Sequence, residues 1–433
     1  MDGVAGRGRW DEDGAVCGPP RLRRPDRAQA LLQPCLLDET LPPDHQARAI
    51  WSVVERLDLS AFYEPLKARG SDPGRSATDP KLLIALWLCA TTNGMGSGRE
   101  IARLCECHDA YRWLCGGVPV NYHTLNDFRV EHEGALDDLF SQVLAVLMHK
   151  EVITVARISQ DGMKVRASAG AGSFRREKTL QRYLDEAKAQ VEAVKRQADD
   201  PAVSAQQRAA REHAAKDREE RITAALAELP KLREDKQRSR DKRAQAKEPR
   251  ASVTDPDARV MKMPDNGFRP AYNVQFATDT QSRAIVGVEV TSARNDAKES
   301  EPLRQQVEQR TGAKVEEHLV DGGYVHLATI ERAEASGTKI YAPPPNSRKD
   351  LRAYVPKMTD GPGVAAWRQR MVRKAAKGIY SRRAATSETV NADIKTFRGL
   401  SKFVVRGIRK VRCQALWSAL AYNVMHWGAA VVT

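Results

Sequence analysis

Arg157-Ile158-Ser159-Gln160-Asp161-Gly162 is the stretch on which the fold turns. Val152, Ile153, Val155 and Ile158 give residues 152–165 a strand-like period, and Asp161-Gly162 is expected to end or bend that strand. The same pattern returns at His318-Leu319-Val320-Asp321-Gly322-Gly323-Tyr324: a short apolar run, an aspartate, then glycine. A third acidic residue, Glu388, closes Tyr380-Ser381-Arg382-Arg383-Ala384-Ala385-Thr386-Ser387-Glu388, a helical and strongly basic segment. Taken singly, an Asp-Gly pair is also an ordinary turn, and a glutamate on a basic helix is also an ordinary surface ion pair.

The surrounding elements decide between these readings. Strand signals recur at 272–278 and 284–291, joined as a hairpin by Asp279-Thr280-Gln281-Ser282-Arg283. In that hairpin Asn273 is expected to satisfy backbone groups. A helix is expected near 300–310, then the strand 318–320, a helix over 327–335 and a strand over 339–341. Pro343, Pro344 and Pro345 open a loop. Helices over about 365–377, 383–397 and 410–427 close the chain. Strand, strand, strand, helix, strand, helix, strand, helix is the order of an α/β fold with an RNase H-like mixed sheet.

One segment interrupts this order. Residues 175–250 are rich in Ala, Gln, Glu, Lys and Arg. Leu180, Leu184, Ala187, Val191 and Val194 recur at three and four residues, as on a coiled-coil helix. Asp199-Asp200-Pro201 breaks it, and a second stripe, Ile222, Leu226 and Leu229, runs up to Pro230. An inserted helical hairpin is expected here. It carries six more basic than acidic residues, which suits a solvated helical face better than direct DNA binding.

Upstream, residues 1–34 are rich in Gly, Pro and Arg without an apolar period and are expected to form a mobile basic arm. Residues 35–150 read as a helical domain. Ile50, Val53, Val54 and Leu57 line one face, and Asp79-Pro80 opens a helix with the stripe Leu82, Leu83, Leu86 and Trp87. A further helix follows from Ser97 or Arg99, and another near Tyr122, capped by Thr124 or Asn126. A helix-turn-helix and plain helical packing both satisfy this pattern. Residues 151–433 would then be the catalytic domain.

The 433 residues carry a net charge of +14 and 41% hydrophobic residues, which excludes a disordered chain and favours a polyanionic partner. No run approaches 18 uncharged apolar residues, so no membrane span is expected, and no apolar leader is apparent. Seven irregularly spaced cysteines read as reduced thiols. Cys105, Cys107, His108 and Cys115 could be arranged as a zinc set, but no second cysteine pair supports it.

Phosphodiester cleavage needs an activated nucleophile and a stabilised leaving oxygen, and two Mg²⁺ ions supply both. Mg²⁺ prefers carboxylate oxygens. Asp161 is expected to bridge two ions, Asp321 to hold one and Glu388 the other, with Mn²⁺ as an alternative metal.

The local contexts carry a resemblance. Tyr380, Arg383, Glu388 and Lys395 are similar to the Tyr-Arg-Glu-Lys signature of bacterial insertion-sequence DDE transposases. Asp161-Gly-Met-Lys-Val-Arg-Ala, Pro270-Ala-Tyr-Asn-Val-Gln-Phe and Val320-Asp-Gly-Gly-Tyr resemble the same family. So do 79–128, Arg406-Gly-Ile-Arg-Lys-Val-Arg412 and Ala421-Tyr-Asn423. The strict signature has three residues between Arg and Glu, whereas four separate Arg383 from Glu388, as a looser form allows. Ser387 stands where an apolar residue is usual. The resemblance implies that Asp161, Asp321 and Glu388 are catalytic, and that Tyr380, Arg383 and Lys395 hold DNA. Lys395 lies two helical turns past Glu388 on nearly the same face. Arg406, Arg409 and Lys410 form a basic cluster suited to phosphate.

The implied protein is a cytoplasmic, nucleoid-associated DNA transposase. It would bind terminal inverted repeats and target duplex DNA, working at least as a dimer, and would cleave and join strands. A nuclease without strand joining, and a catalytically inactive DNA-binding derivative, are the alternatives.

Overall fold

The computed structural model describes residues 34–67, 76–196, 204–238, 242–347 and 350–432. The expected arm, apart from Pro34, and the Asp199-Asp200-Pro201 break lie outside these residues.

The N-terminal part is helical: α1 Gln46–Arg56, α2 Pro80–Thr92, α3 Gly98–Cys107, α4 Asp109–Cys115, α5 Tyr122–Glu131 and α6 Glu133–His149. Asp79 caps α2, accepting from the Lys81 amide, with Pro80 in the first turn as its fixed φ favours. The expected single stripe on α2 is too narrow, because Leu82 through Thr92 are buried all round. The reason is the C-terminal helix, which packs on α1, α2 and α6. The cap of α5 is Asn121, accepting from His123 at 2.8 Å, not Thr124 or Asn126. Those two lie inside the first turns, where a side chain has no free amide ahead of it.

Six strands form one sheet: β1 Arg157–Arg166, β2 Arg259–Lys262, β3 Phe268–Asp279, β4 Ile285–Thr291, β5 Glu317–Leu319 and β6 Lys339–Tyr341. The order is β2-β3-β1-β5-β6, and β4 also pairs with β3. β3 runs antiparallel to β1, while β5 and β6 are parallel to their inner neighbours. This is the mixed sheet of an RNase H-like fold. β2, only four residues long, was too short to show a period of its own.

β1 begins later than its apolar residues suggest. Glu151 and Val155 both have positive φ, which a β-branched residue in a ladder does not adopt. Nor does Asp161-Gly162 end the strand, since pairing with β3 continues from Ile158 opposite Asp279 to Arg166 opposite Ala271. Glycine at 162 has a different reason. A Cβ there would lie 2.5 Å from both Asp296 Oδ1 and Gln275 Nε2. Gly162→Ala is therefore expected to destabilise the fold by about 1–3 kcal/mol, the usual cost of overpacking, and chemical denaturation would measure it.

Between β1 and β2 the chain leaves the sheet through α7 Glu177–Arg196 and α8 Ala205–Gln237. The helices are antiparallel, since Glu177 pairs with Arg233 and Gln190 with Arg218, each at 2.8 Å. Leu180, Leu184, Ala187, Ile222, Ala225 and Leu229 make a small core of their own. Pro230 does not close α8; the helix continues through it, held by burial of Leu229 and Leu232 on α7. An antiparallel two-residue ladder, Phe174–Arg175 on Ala251–Ser252, ties the base of the hairpin.

α9 Ser300–Thr311 precedes β5 and α10 Leu327–Ala335 precedes β6; after β6 come α11 Pro362–Val372 and α12 Lys374–Arg383. The single helix expected over 365–377 is two, because Arg373 is extended. A π turn, Ala384–Glu388, leads into α13 Thr389–Thr396, and α14 Ile408–Val432 ends the fold. One apolar cluster spans the N-terminal helices, the sheet and α14, with Trp87, Phe140, Tyr272, Phe276 and Trp417 buried in it. The buried Asn423 on α14 brackets the start of β4. Its Nδ2 donates to the Ile285 carbonyl at 2.8 Å, and its Oδ1 accepts from the Ile285 amide at 2.9 Å.

Candidate active site

Residues of β1 alternate between the two faces of the sheet. Ser159 and Asp161 face the α12–α13 helix, and Gln160, Gly162 and Lys164 face the other way. On the helix side, Ser159 and Ser387 share a hydrogen bond at 2.6 Å between buried hydroxyls. The polar residue at 387 is thus matched by a polar partner on the strand, so its departure from an apolar residue leaves no unsatisfied group.

The extra residue between Arg383 and Glu388 has a structural answer as well. In an α-helix, residues four apart align, and a fifth residue rotates the partner off the face. The π turn hydrogen-bonds across five residues and so restores the alignment. Arg383 Nη2 accordingly donates to Glu388 Oε1 at 2.7 Å. Ala384 and Ala385 in this turn are exposed. Deleting Ala385 should convert the turn to plain α-helix and keep the ion pair. Nicking activity and melting temperature are expected to survive it, whereas inserting one alanine there should remove the activity.

Asp161 is held from two sides. Asn391 Nδ2 donates to its Oδ2 at 2.9 Å, and Arg383 Nη1 lies 3.4 Å from its Oδ1. Arg383 thereby spans Asp161 and Glu388. Burial raises the Asp161 carboxyl above the ordinary aspartate range; Arg383 opposes this, Asp321 adds to it, the Asn391 bond lowers it and Glu388 raises it. Burial also works against the Arg383 charge, but Asp161, Tyr380, Glu388 and Asp321 outweigh it and hold the guanidinium more firmly protonated than usual. Asp321 lies two residues past β5 and caps the turn Gly322–Tyr324, accepting from the Gly323 amide at 2.7 Å. Asn391 was not anticipated, although its place three residues after Glu388, on the same helical face, was a usable signal.

The opposite face explains two other motifs. Asp296 accepts from Lys164 at 3.1 Å, Asn273 at 2.6 Å and Gln275 at 2.7 Å. Gln160 and Tyr324 both donate to Gln275. Asn273 therefore bonds side chains, not the hairpin backbone as expected, because Asp296 lies against it under Gly162. Tyr324 links the turn after Asp321 to the central strands, and this network braces both aspartates from behind.

Two grooves flank the carboxylates. One of about 450 Å³ is lined by Asp321, Pro343, Pro344, Asn346, Tyr380 and Arg383. The other, about 380 Å³, is lined by Asp161, Met163, Lys262, Met263, Asn391 and Lys395. A larger cleft of about 650 Å³ opens at the start of β1, beside Arg157 and Arg382, away from the carboxylates.

Comparison with known families agrees with this arrangement. A transposase DDE domain model matches residues 248–424, and a transposase domain model (DUF772) matches residues 36–131. This chain belongs to the insertion-sequence DDE transposases. No curated protein and no solved structure matches it. DDE transposases cut and transfer DNA strands, generally with divalent metal ions. In this transposase the DDE match begins beyond the helical hairpin. Asp161 lies outside the matched segment, so its place in the site rests on the β1 geometry alone.

Other candidate residues of the transposase lie elsewhere. Arg406 donates to the Ser168 carbonyl at 3.2 Å, past the far end of β1. Arg409 pairs with Glu133 at 3.0 Å, and Lys410 is exposed beside it. Among the described residues no three His, Cys, Asp or Glu side chains converge to hold a metal, neither the carboxylates nor Cys105, Cys107, His108 and Cys115. His108 instead caps α4, accepting from the Ala110 amide. No helix among the described residues is long and apolar enough to cross a membrane.

Proposed function

We propose that this transposase binds the terminal inverted repeats of its element, cleaves DNA there and joins the freed 3′-hydroxyls to target DNA. Asp161, Asp321 and Glu388 would serve as ligands for two Mg²⁺ or Mn²⁺ ions. The observation that supports this most is the meeting of Asp161 and Glu388 on one guanidinium, with the charge of Asp321 felt at Asp161 and Arg383. Three distant chain segments place negative charge around one cation. The donors are hard carboxylate oxygens, the type Mg²⁺ takes. Ions held by these carboxylates would supply the activation of a water or 3′-hydroxyl and the stabilisation of the leaving oxygen.

The protein's own residues orient that chemistry. Asn391 binds Oδ2 of Asp161 and leaves Oδ1 facing Arg383. Tyr380 and Lys395 line the two flanking grooves, where a DNA strand entering the site would meet them. Arg383, and at the far end of β1 Arg406, Arg409 and Lys410, add positive charge for phosphates. The helices of residues 35–150 supply further DNA-binding and assembly surface. Two element ends require at least a dimer at work, acting on the bacterial nucleoid.

The test is purified protein with duplexes carrying both flanks of its gene. Mg²⁺-dependent nicks at the element ends, followed by joined products, are expected. Nicks without joining would leave a nuclease. Binding without nicks would leave an inactive DNA-binding derivative.

A further inference from the structure

We propose that Arg383 is a built-in cation that closes the carboxylate site to metal until DNA phosphate draws it away. This rests on Asp161 and Glu388 being metal ligands. The guanidinium takes up the two oxygens a shared ion would need, Asp161 Oδ1 at 3.4 Å and Glu388 Oε1 at 2.7 Å. Its side chain is only 13% exposed and that of Asp161 21%, so the guanidinium sits inside the site, with Glu388, 53% exposed, at its outer rim. Among the described residues the carboxylates do not converge on a metal-sized space, as expected where a planar guanidinium spaces them.

The seat is imperfect. Nη1 is buried yet makes no hydrogen bond, being held to Asp161 by charge alone. A phosphate in the adjoining groove, beside Asp321, Pro343, Asn346 and Tyr380, would offer the same group two parallel charge-assisted bonds. Moving there satisfies Nη1 and uncovers Asp161 and Glu388 together. Their uncompensated charge then favours a divalent ion. DNA and metal are thereby coupled, each tightening the other by the same factor. The device keeps a strand-cutting centre unassembled while no DNA is present.

Mn²⁺ binding to the full-length protein, followed by calorimetry without DNA, tests this. Arg383→Met removes the charge at similar length and is expected to bind Mn²⁺ at least tenfold more tightly than the parent. Arg383→Gln, which keeps a donor for Glu388, should show the same gain and guards against a folding defect in the first variant. Adding a generic duplex should tighten Mn²⁺ binding to the parent about tenfold and leave the Arg383→Met variant unchanged. Equal or weaker Mn²⁺ binding by both variants, including no binding by either at millimolar concentration, overturns the proposal. Asp161→Asn combined with Arg383→Met separates the two levels. If the tightened binding persists in the double variant, the ion sits elsewhere and the ligand assignment fails with the gate. If binding in parent and Arg383→Met is equal but lost with Asp161→Asn, only the gate fails.

Discussion

Asp161→Asn is expected to abolish metal-dependent DNA cleavage while duplex binding stays within about twofold. Shape is conserved: the asparagine carbonyl can still accept from Asn391 Nδ2, as the carboxylate does at 2.9 Å. What disappears is the charge. Removing a group that merely orients a metal ligand costs 10–100-fold, so removing the charge of the ligand proposed to be shared by two ions should cost about a thousandfold or more. The fold should not suffer, because burial already disfavours the ionised carboxyl. Supercoiled-plasmid nicking across a Mg²⁺ series reads the activity, and a gel-shift titration at fixed salt reads binding. Nicking at the parental rate would remove Asp161 from the catalytic set. Loss of binding together with cleavage would assign it a structural role instead.

Asn423→Ala should destabilise the fold strongly. Asn423 is fully buried and satisfies both the amide and the carbonyl of Ile285, at the start of β4. Alanine leaves both groups without partners in an apolar surrounding. At about 1–3 kcal/mol for each of the two unsatisfied buried groups, the loss is about 2–6 kcal/mol. In a chain of this size that lowers the melting temperature by about two to seven degrees. Asn423→Asp keeps the acceptor for the Ile285 amide but sets a carboxylate against the Ile285 carbonyl, and should do no better. A change under about 0.5 kcal/mol would mean that water takes over both bonds. The Ala421-Tyr422-Asn423 motif is buried and fastens the last helix to the sheet edge through Asn423 and Ile285.

Much of the architecture could be read from local pattern, because its cues act over a few residues. The Asp79-Pro80 cap, the turn at 279–283 and the strand at 339–341 depend on neighbours in sequence, and they formed as expected. The same holds for the two inserted helices, whose three- and four-residue spacing is their packing surface. Boundaries failed where a distant group intervened. β1 started late because Val155 takes a positive φ, and α8 ran through Pro230 because its far half still had α7 to pack on. α2 was buried on every side only because α14, more than 300 residues later, covers its outer face.

The sequence by itself marked the candidates for the chemistry: two aspartates beside glycine in strand-like segments, a glutamate on a basic helix, and the spacing of Arg383, Glu388 and Lys395. Residue type sets charge and donor class, and these are visible without a fold. Only the tertiary structure decided how those groups meet. Glycine at 162 is required by Asp296 across the sheet, not by a turn. Asn391 reaches Asp161 from another element, and Ser387 finds Ser159. The five-residue gap from Arg383 to Glu388 is off-register in any α-helix and becomes aligned only in a π turn. Such contacts join atoms far apart along the chain. Their geometry depends on sheet register and helix winding together, which no local sequence pattern encodes.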